Sequence, residues 1–369
     1  MDPRAYWIGF NKIKGIGSVR TKKLLDYFGD LETAWKASAN ELAQAGIRPS
    51  IIEAIINNRQ NIELESELKQ INDLGINIVT LLDDGYPLRL KSIDQPPPVL
   101  FYKGDISCVN NYAIAIVGTR QKSDYGKQVT KELSNFLVHN GITVVSGLAR
   151  GIDSIAHQAA LDAGGSTIAV MGCGVDIVYP PEHRTLYNQI QEMGLVVSDY
   201  PPGTQPEGIN FPPRNRIISG LSMATVVVEA GERSGALITA EFALNQGREV
   251  FAVPGPIFAP HSKGTNRLIR DGAIPLNDYE DILNLLNLDQ INEFRYAKKI
   301  IPENEIESLL YDTMKNDAMH INDIKSATGL SMEKVSAALV MMELKGLVKQ
   351  IGNMIYISIG ESSESYEAR

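Results

Sequence analysis

Two cysteines in 369 residues, Cys108 and Cys173, are too few and too far apart for a disulfide framework or a cysteine-built metal site. That suits a reducing compartment, with both thiols in ordinary core or loop positions. No run approaches the ~18 consecutive apolar residues of a membrane span. The start, Met1-Asp2-Pro3-Arg4-Ala5-Tyr6-Trp7, lacks the apolar core of a signal peptide. The expectation is a cytoplasmic chain that makes no membrane contact. The patterns H-E-x-x-H and C-x-x-C are absent, so neither a metal nor another cofactor is expected. No serine stands in G-x-S-x-G, and no catalytic group is assigned. Positive charge is also scarce overall: 35 Lys and Arg face 44 Asp and Glu, a net −9. Taken alone, that speaks against nucleic-acid binding, because phosphate contact needs lysine and arginine.

The distribution tells more than the sum. Residues 1–60 hold nine basic and six acidic side chains, residues 111–275 hold 13 and 14, and residues 301–358 hold five and eight. The N-terminal part is the basic one. Its pattern is helical with glycine breaks, at 18–28, 39–45 and 50–70, within a domain spanning 1–70. Turn chemistry at Asp83-Asp84-Gly85-Tyr86-Pro87 and Gln95-Pro96-Pro97-Pro98 then brackets the short apolar runs Ile76–Leu82 and Val99–Tyr102.

Between 75 and 285 the pattern alternates. Apolar runs at Ala113–Val117, Ile142–Val145, Thr167–Met171, Leu195–Ser198, Thr225–Val228 and Val250–Val253 read as strands. Helical segments lie between them at 125–139, 152–163, 182–192, 214–221 and 235–246. Such alternation predicts an α/β fold, an extended Rossmann-like, doubly wound, mostly parallel sheet. The flanks are an N-terminal helix-hairpin-helix or SAM-like helical domain and a C-terminal winged helix over 303–358. The winged helix reads as helices 303–315, 320–327 and 332–345, with two short strands around Gly352-Asn353. Met332, Val335, Leu339 and Met342 have core spacing on one helical face. A charged linker, Arg295–Lys299, precedes this domain, and a polar tail, 359–369, reads as disordered.

Ligands of such sheets sit at the carboxyl ends of the strands. Those ends read Val117-Gly118-Thr119-Arg120, Ser146-Gly147-Leu148-Ala149-Arg150-Gly151, Gly172-Cys173-Gly174, Phe211-Pro212-Pro213-Arg214-Asn215-Arg216, Glu229-Ala230-Gly231-Glu232-Arg233-Ser234-Gly235 and Pro254-Gly255-Pro256, with Ser262-Lys263-Gly264 beyond. Glycine lets backbone N–H groups approach a phosphate, and arginine adds a fixed fork for its oxygens. The candidate phosphate and DNA contacts are therefore Gly118, Thr119, Arg120, Gly147, Arg150, Phe211, Arg214, Asn215, Arg216, Ser234, Gly235 and Lys263. The nucleotide fingerprints fail here. No G-x-G-x-x-G follows the first strand, Gly126-Lys127 lacks P-loop spacing, and Val226-Val227-Val228-Glu229 reads as a buried strand rather than a Walker B.

Phe211 admits two roles, a platform that stacks a base or a plug in the domain core. Asp153 and His157, at i and i+4, read as a structural helix pair rather than a catalytic dyad. In the basic N-terminal part, Ile13-Lys14-Gly15-Ile16-Gly17-Ser18 has the form of a hairpin whose backbone N–H groups face a DNA phosphate. Lys14, Gly15, Gly17, Arg20 and Lys22 are secondary DNA candidates, against a purely structural or protein-binding alternative. Ala45-Gly46-Ile47 reads as a degenerate second hairpin. The winged helix carries Glu333 and Glu343 against Lys334 and Lys345, which favours a protein contact or weak DNA contact over sequence reading.

These motifs, in this order, resemble the DNA-processing protein A family (DprA, also called Smf). The resemblance is carried by Val117–Arg120, Ser146–Asp153 with Ala156-His157, Phe211–Leu221, Ser234–Ala240 and Val253–Gly255, and it covers about 75–280 closely. It implies a protein that binds single-stranded DNA without sequence preference and loads the RecA recombinase onto that DNA in natural transformation. It also implies a homodimer formed through the central domain, possible contact with single-stranded-DNA-binding protein, and no established catalytic reaction. By motif position the implied pocket falls on Gly118, Thr119, Arg120, Phe211, Arg214 and Lys263. The rival is a nucleotide-processing enzyme of the phosphoribohydrolase type, loosely suggested by Gly231–Glu241.

Overall fold

The computed structural model describes residues 2–286, 305–314, 319–344, 348–352 and 354–358. The linker 295–299, the tail 359–369, Lys345 and Asn353 lie outside the described residues. Contacts group the chain into two compact units, Met1–Ile282 and Leu283–Arg369.

The first unit opens with six helices: α1 (Arg4–Lys12), α2 (Ser18–Phe28), α3 (Leu31–Lys36), α4 (Ala39–Gln44), α5 (Pro49–Arg59) and α6 (Leu64–Asp73). Local chemistry sets their ends. Asp30 caps α3 by accepting from the Thr33 N–H, and Ser38 with Glu41 forms a capping box on α4. Gly15, between α1 and α2, has φ +94°, and Gly46, between α4 and α5, has φ +75°.

A nine-stranded sheet follows, with β1 (Asn77–Thr80), β2 (Val99–Gly104), β3 (Ala113–Val117), β4 (Thr143–Ser146), β5 (Thr167–Val170), β6 (Leu195–Ser198), β7 (Ala224–Val227), β8 (Glu249–Ala252) and β9 (Ile274–Pro275). Its order is β1-β2-β6-β5-β4-β3-β7-β8-β9. The pairs β1–β2 and β2–β6 are antiparallel, and all others are parallel. The connecting helices are α7 (Leu88–Lys91), α8 (Asp124–His139), α9 (Ile152–Asp162), α10 (Arg184–Met193), α11 (Phe211–Leu221), α12 (Ala236–Asn245) and α13 (Lys263–Arg270), and α14 (Glu280–Leu285) follows β9.

Alternate residues of one strand enter different cores, as two-sided burial requires. Ala169 and Val196 join Leu161, Leu186 and Ile190 on the face of α9 and α10, together with Phe10 and Trp35 of the N-terminal helices. Ile168, Val170, Leu195 and Val197 join Ile217, Leu221 and Ala240 on the face of α11 and α12. The order reverses beside β3: the chain builds outward through β4, β5 and β6, then crosses to β7. That reversal opens a crevice at the carboxyl ends of β3 and β7.

In the second unit, α15 (Glu305–Met314), α16 (Ile321–Thr328) and α17 (Met332–Leu344) pack with a three-stranded sheet, β10 (Met319–His320), β11 (Val348–Gly352) and β12 (Ile355–Ser358). This is a winged helix. Val335, Leu339 and Met342 are buried in its core, but Met332 at the start of α17 is exposed. Position 332 lies a full turn before the packed part of the helix.

Candidate nucleic-acid interface

A cleft of about 830 Å³ lies at the topological reversal. Gly118, Thr119, Arg120, Phe211, Arg214, Asn215, Ser234 and Gly235 all line it, brought together from three separate segments: the loop after β3, the start of α11 and the loop after β7. Gly147 and Arg150 line a small adjoining hollow that shares Arg120, Phe211 and Arg214 with the cleft. Arg216 and Lys263 line neither.

The floor of the cleft differs from the glycine cradle expected of these loops. Asp153, near the start of α9, is buried there and accepts from the Gly147 N–H at 3.1 Å. The N–H groups of Ala149 and Gly118 favour the same carboxylate. These are the donors that the glycine pattern offers to a phosphate, and the chain supplies its own anion to them. Burial pushes the Asp153 carboxyl up, and the charge of Arg214 opposes that.

Arg214 completes this floor. It is 4% exposed. Its Nη1 donates to the Gly147 carbonyl at 3.0 Å and to the Val170 carbonyl, and its Nε donates to Asn215 Oδ1 at 3.3 Å. Burial lowers its pKa, and Asp153 opposes the shift. Two glycines make room for this packing. A Cβ on Gly147 would lie 2.7 Å from Arg214 Nη2, and one on Gly172 would lie 2.7 Å from the Phe211 ring. Gly151 is needed for its conformation as well: its φ is +85°, and a Cβ there would meet the Thr119 carbonyl. Much of the glycine signal in these loops thus reflects internal close packing.

Phe211 lies over this floor, half-buried, at the start of α11. Tyr179 stands beside it, with ring centroids 5.4 Å apart and planes tilted by 33°. The guanidinium carbons of Arg120 and Arg214 are each 5.9 Å from the Phe211 centroid. Arg120 and Arg233 are exposed and line the cleft. Among the described residues neither is ion-paired. Arg233 and Tyr179 were not among the sequence candidates. Arg233 could have been found from its place between Gly231 and Gly235 at a strand end, whereas nothing local marks Tyr179.

The remaining candidates stand apart. Arg216 pairs with Asp199 at 2.8 Å, both largely buried, so its charge is committed away from the cleft. Arg150 pairs with Glu182 at 2.5 Å, and Lys263 lies 3.6 Å from Glu232. All four of those side chains are half exposed or more, so these pairs are weak and open to exchange for phosphate. On the N-terminal hairpin, Lys14, Gly15, Gly17 and Lys22 are exposed, while Arg20 turns back to donate to the Gly15 carbonyl at 2.5 Å.

Asp153 and His157 do not form a dyad. His157 Nδ1 lies 2.7 Å from Thr167 Oγ1, whose hydroxyl donates to the Val144 carbonyl at 2.7 Å. Burial, with the charges of His183 and Arg214, lowers the His157 pKa to about 3. The unfolded ring titrates near 6.5, so below that pH the unfolded chain binds the extra proton. The stability held by the neutral ring is full above about pH 6.5 and drains away as pH falls toward 3. Moving from about pH 7.5 to about pH 5.5 is expected to remove about 1.4 kcal/mol through this group. Urea unfolding at both pH values checks it, with His157→Gln expected to lack that component. Equal losses in parent and variant would remove the assignment. Glu229 is likewise structural. Its carboxylate accepts from the Ser123 N–H at 2.9 Å and the Ser123 hydroxyl at 2.5 Å, which holds the start of α8 beside the cleft.

Among the described residues no cluster of His, Cys, Asp and Glu could hold a metal ion, and no helix is long and apolar enough to cross a membrane. A family model described as DNA recombination-mediator protein A matches residues 77–287, and one described as the DprA winged helix domain matches residues 297–353. Protein Smf of Synechocystis is 36% identical over 390 aligned positions, covering 96% of this chain and 98% of that one. The X-ray structure of DNA processing protein A from Streptococcus pneumoniae matches with a TM-score of 0.68 at 37% identity, over 76% of this chain and 97% of that one. The corresponding protein from Helicobacter pylori matches with a TM-score of 0.53 at 31% identity, over 58% of this chain and 97% of that one.

Proposed function

Because this chain belongs to the DNA recombination-mediator protein A family, also called DprA or Smf, we propose that it binds single-stranded DNA without sequence preference and mediates recombination by loading RecA. The family places it in DNA processing. The observation that carries the binding mode is the cleft itself, where Phe211 and Tyr179 meet the unpaired Arg120 and Arg233 in an open trough. Aromatic faces tolerate any base, and cations follow the phosphates, so such a trough suits a strand of any sequence. The related protein from Helicobacter pylori binds single-stranded DNA.

Salt dependence is the direct test. Each phosphate contact contributes ~0.7 to the log–log slope of affinity against salt for a single strand. Arg120→Ala and Arg233→Ala are each expected to flatten that slope by about 0.7. A parent protein with no salt dependence, or with equal affinity for duplex, would refute the reading. RecA is the protein partner in this proposal, and the chain acts as a homodimer through its central domain on incoming DNA in natural transformation. RecA strand exchange on single strands precoated with single-stranded-DNA-binding protein tests that part, and an unchanged rate on adding this chain would remove it. The enzyme reading is not favoured: Glu241, its candidate acid, is exposed on α12 and is not among the residues lining the cleft.

A further inference from the structure

The loop after β8 carries a feature that the cleft does not require. It runs Pro254-Gly255-Pro256-Ile257-Phe258-Ala259-Pro260-His261-Ser262. Both of its feet are fixed. Asn266 on α13 donates to the Gly255 carbonyl at 2.9 Å and accepts from the Gly255 N–H at 3.2 Å. The His261 carbonyl accepts from the Ala230 N–H at 2.7 Å, and the Gly264 N–H donates to the Ala230 carbonyl at 2.7 Å. The Ala259 N–H donates to the Pro256 carbonyl at 3.0 Å and closes a turn around the tip. Three prolines stiffen the same span. The tip is held, yet its side chains stand in water, Ile257 at 73% and Phe258 at 89% exposure. A large apolar pair displayed on a pinned loop marks a contact surface.

Its place in the sheet suggests the occupant. Pro260 and His261 line the cleft together with Gly231 and Arg233. Lys263 follows at the start of α13, in a weak, exposed pair with Glu232. Strand order then sets the loops in a row. The loops after β5 and β4 bring Tyr179 and Arg150, the loop after β3 brings Arg120 beside Phe211, the loop after β7 brings Arg233, and the loop after β8 brings Phe258 and Lys263. Aromatic and cationic side chains share one edge, which is the pattern of a track for single-stranded nucleic acid.

We infer that the strand continues past the cleft over this loop, and that Phe258 is a second stacking platform, with Lys263 on an adjoining phosphate. This rests on the single-stranded DNA reading of the cleft and adds a direction to it: from the β5 side of the sheet toward the β8 side.

Fluorescence anisotropy on the full chain, with a length series of labelled oligothymidylates, tests it. Phe258 is too exposed for its replacement to unfold the domain. Phe258→Ala is expected to leave the shortest binding oligonucleotides unaffected. For long ones it is expected to lower affinity roughly tenfold and to shorten the length at which affinity saturates. Phe258→Trp retains the long-strand affinity, and Phe258→Leu, apolar without a ring face, loses it. Phe211→Ala weakens every length. If the parent itself binds no oligonucleotide of the series, the cleft reading fails, and not merely the tip. Superimposable length curves for Phe258→Ala and parent overturn the inference, as does Phe258→Leu behaving like the parent. A uniform loss at all lengths with slower sedimentation also overturns it, and assigns the tip to contact between copies of this chain.

Discussion

Replacing Arg214 by alanine is expected to destabilise the fold by about 3–5 kcal/mol, because it removes one member of a buried charged network and leaves the other uncompensated. Asp153 would remain buried without its counter-charge, and the carbonyls of Gly147 and Val170 would lose their donor. Domains of ordinary stability hold only about 5–15 kcal/mol in total. Urea unfolding measures the loss. DNA affinity would fall in the same variant, but as a consequence of lost structure. An unchanged urea midpoint with a selective fall in affinity would contradict this account, and would show that the guanidinium leaves its floor position to grip phosphate. The distinction matters because Arg214 sits in the motif where a phosphate clamp is expected.

Phe211→Ala is expected to behave in the opposite way, with affinity for a single strand falling by about 1–3 kcal/mol, roughly 5- to 150-fold. Unfolding should change little by comparison. The ring is only half-buried, lines the cleft, and has Tyr179 and Arg120 around it rather than a closed core. Of the two roles that the sequence left open, this placement favours the platform. Anisotropy titration and urea unfolding on the same preparation separate them. A large stability loss with full affinity retained would return Phe211 to the core.

Regular, two-sided or one-sided periodicity made most of the architecture legible. Strands β3 and β6 fall where their apolar runs predict, and β4, β5, β7 and β8 lie within one residue of prediction at each end. Elements without such a signal were missed. Helix α1 buries six consecutive residues, Ala5 to Phe10, so it has no polar face to reveal a 3.6-residue period, and Pro3 at its cap offers no side-chain acceptor. Helix α3 has six residues, too few for a repeat. Helix α13 buries little beyond Gly264 and Thr265. The span 50–70 read as one helix, but the structure stops α5 at Arg59 and starts α6 at Leu64.

The location of the cleft was also legible, since strand-end loops rich in glycine and arginine converge by topology alone. The direction of each side chain was not. Arg120, Arg214 and Arg216 look alike in sequence, yet one faces the cleft, one lies under its floor, and one turns to Asp199. The partners that decide this are 17 residues away for Arg216 and 44 and 67 residues away for Arg214. No local pattern encodes them. Asp153 carried a signal that was there to be used: an acid in the first turn of the helix after a glycine-rich loop sits where the helix dipole attracts an anion.

That aspartate has a consequence for life among competing ligands. A cell's interior is crowded with nucleoside triphosphates, each offering a compact cluster of negative charge. A site that bound DNA through a backbone phosphate cradle would be filled by them. Here the cradle already holds Asp153, so a small phosphate arriving at the floor meets donors already taken. The outward cations and rings each supply only a modest attraction, too little to retain a molecule that touches one or two of them. A polymer that touched the whole row would be retained. On the single-stranded DNA reading proposed above, the buried acid would make the protein a discriminator of length, deaf to the monomers from which such a ligand is made.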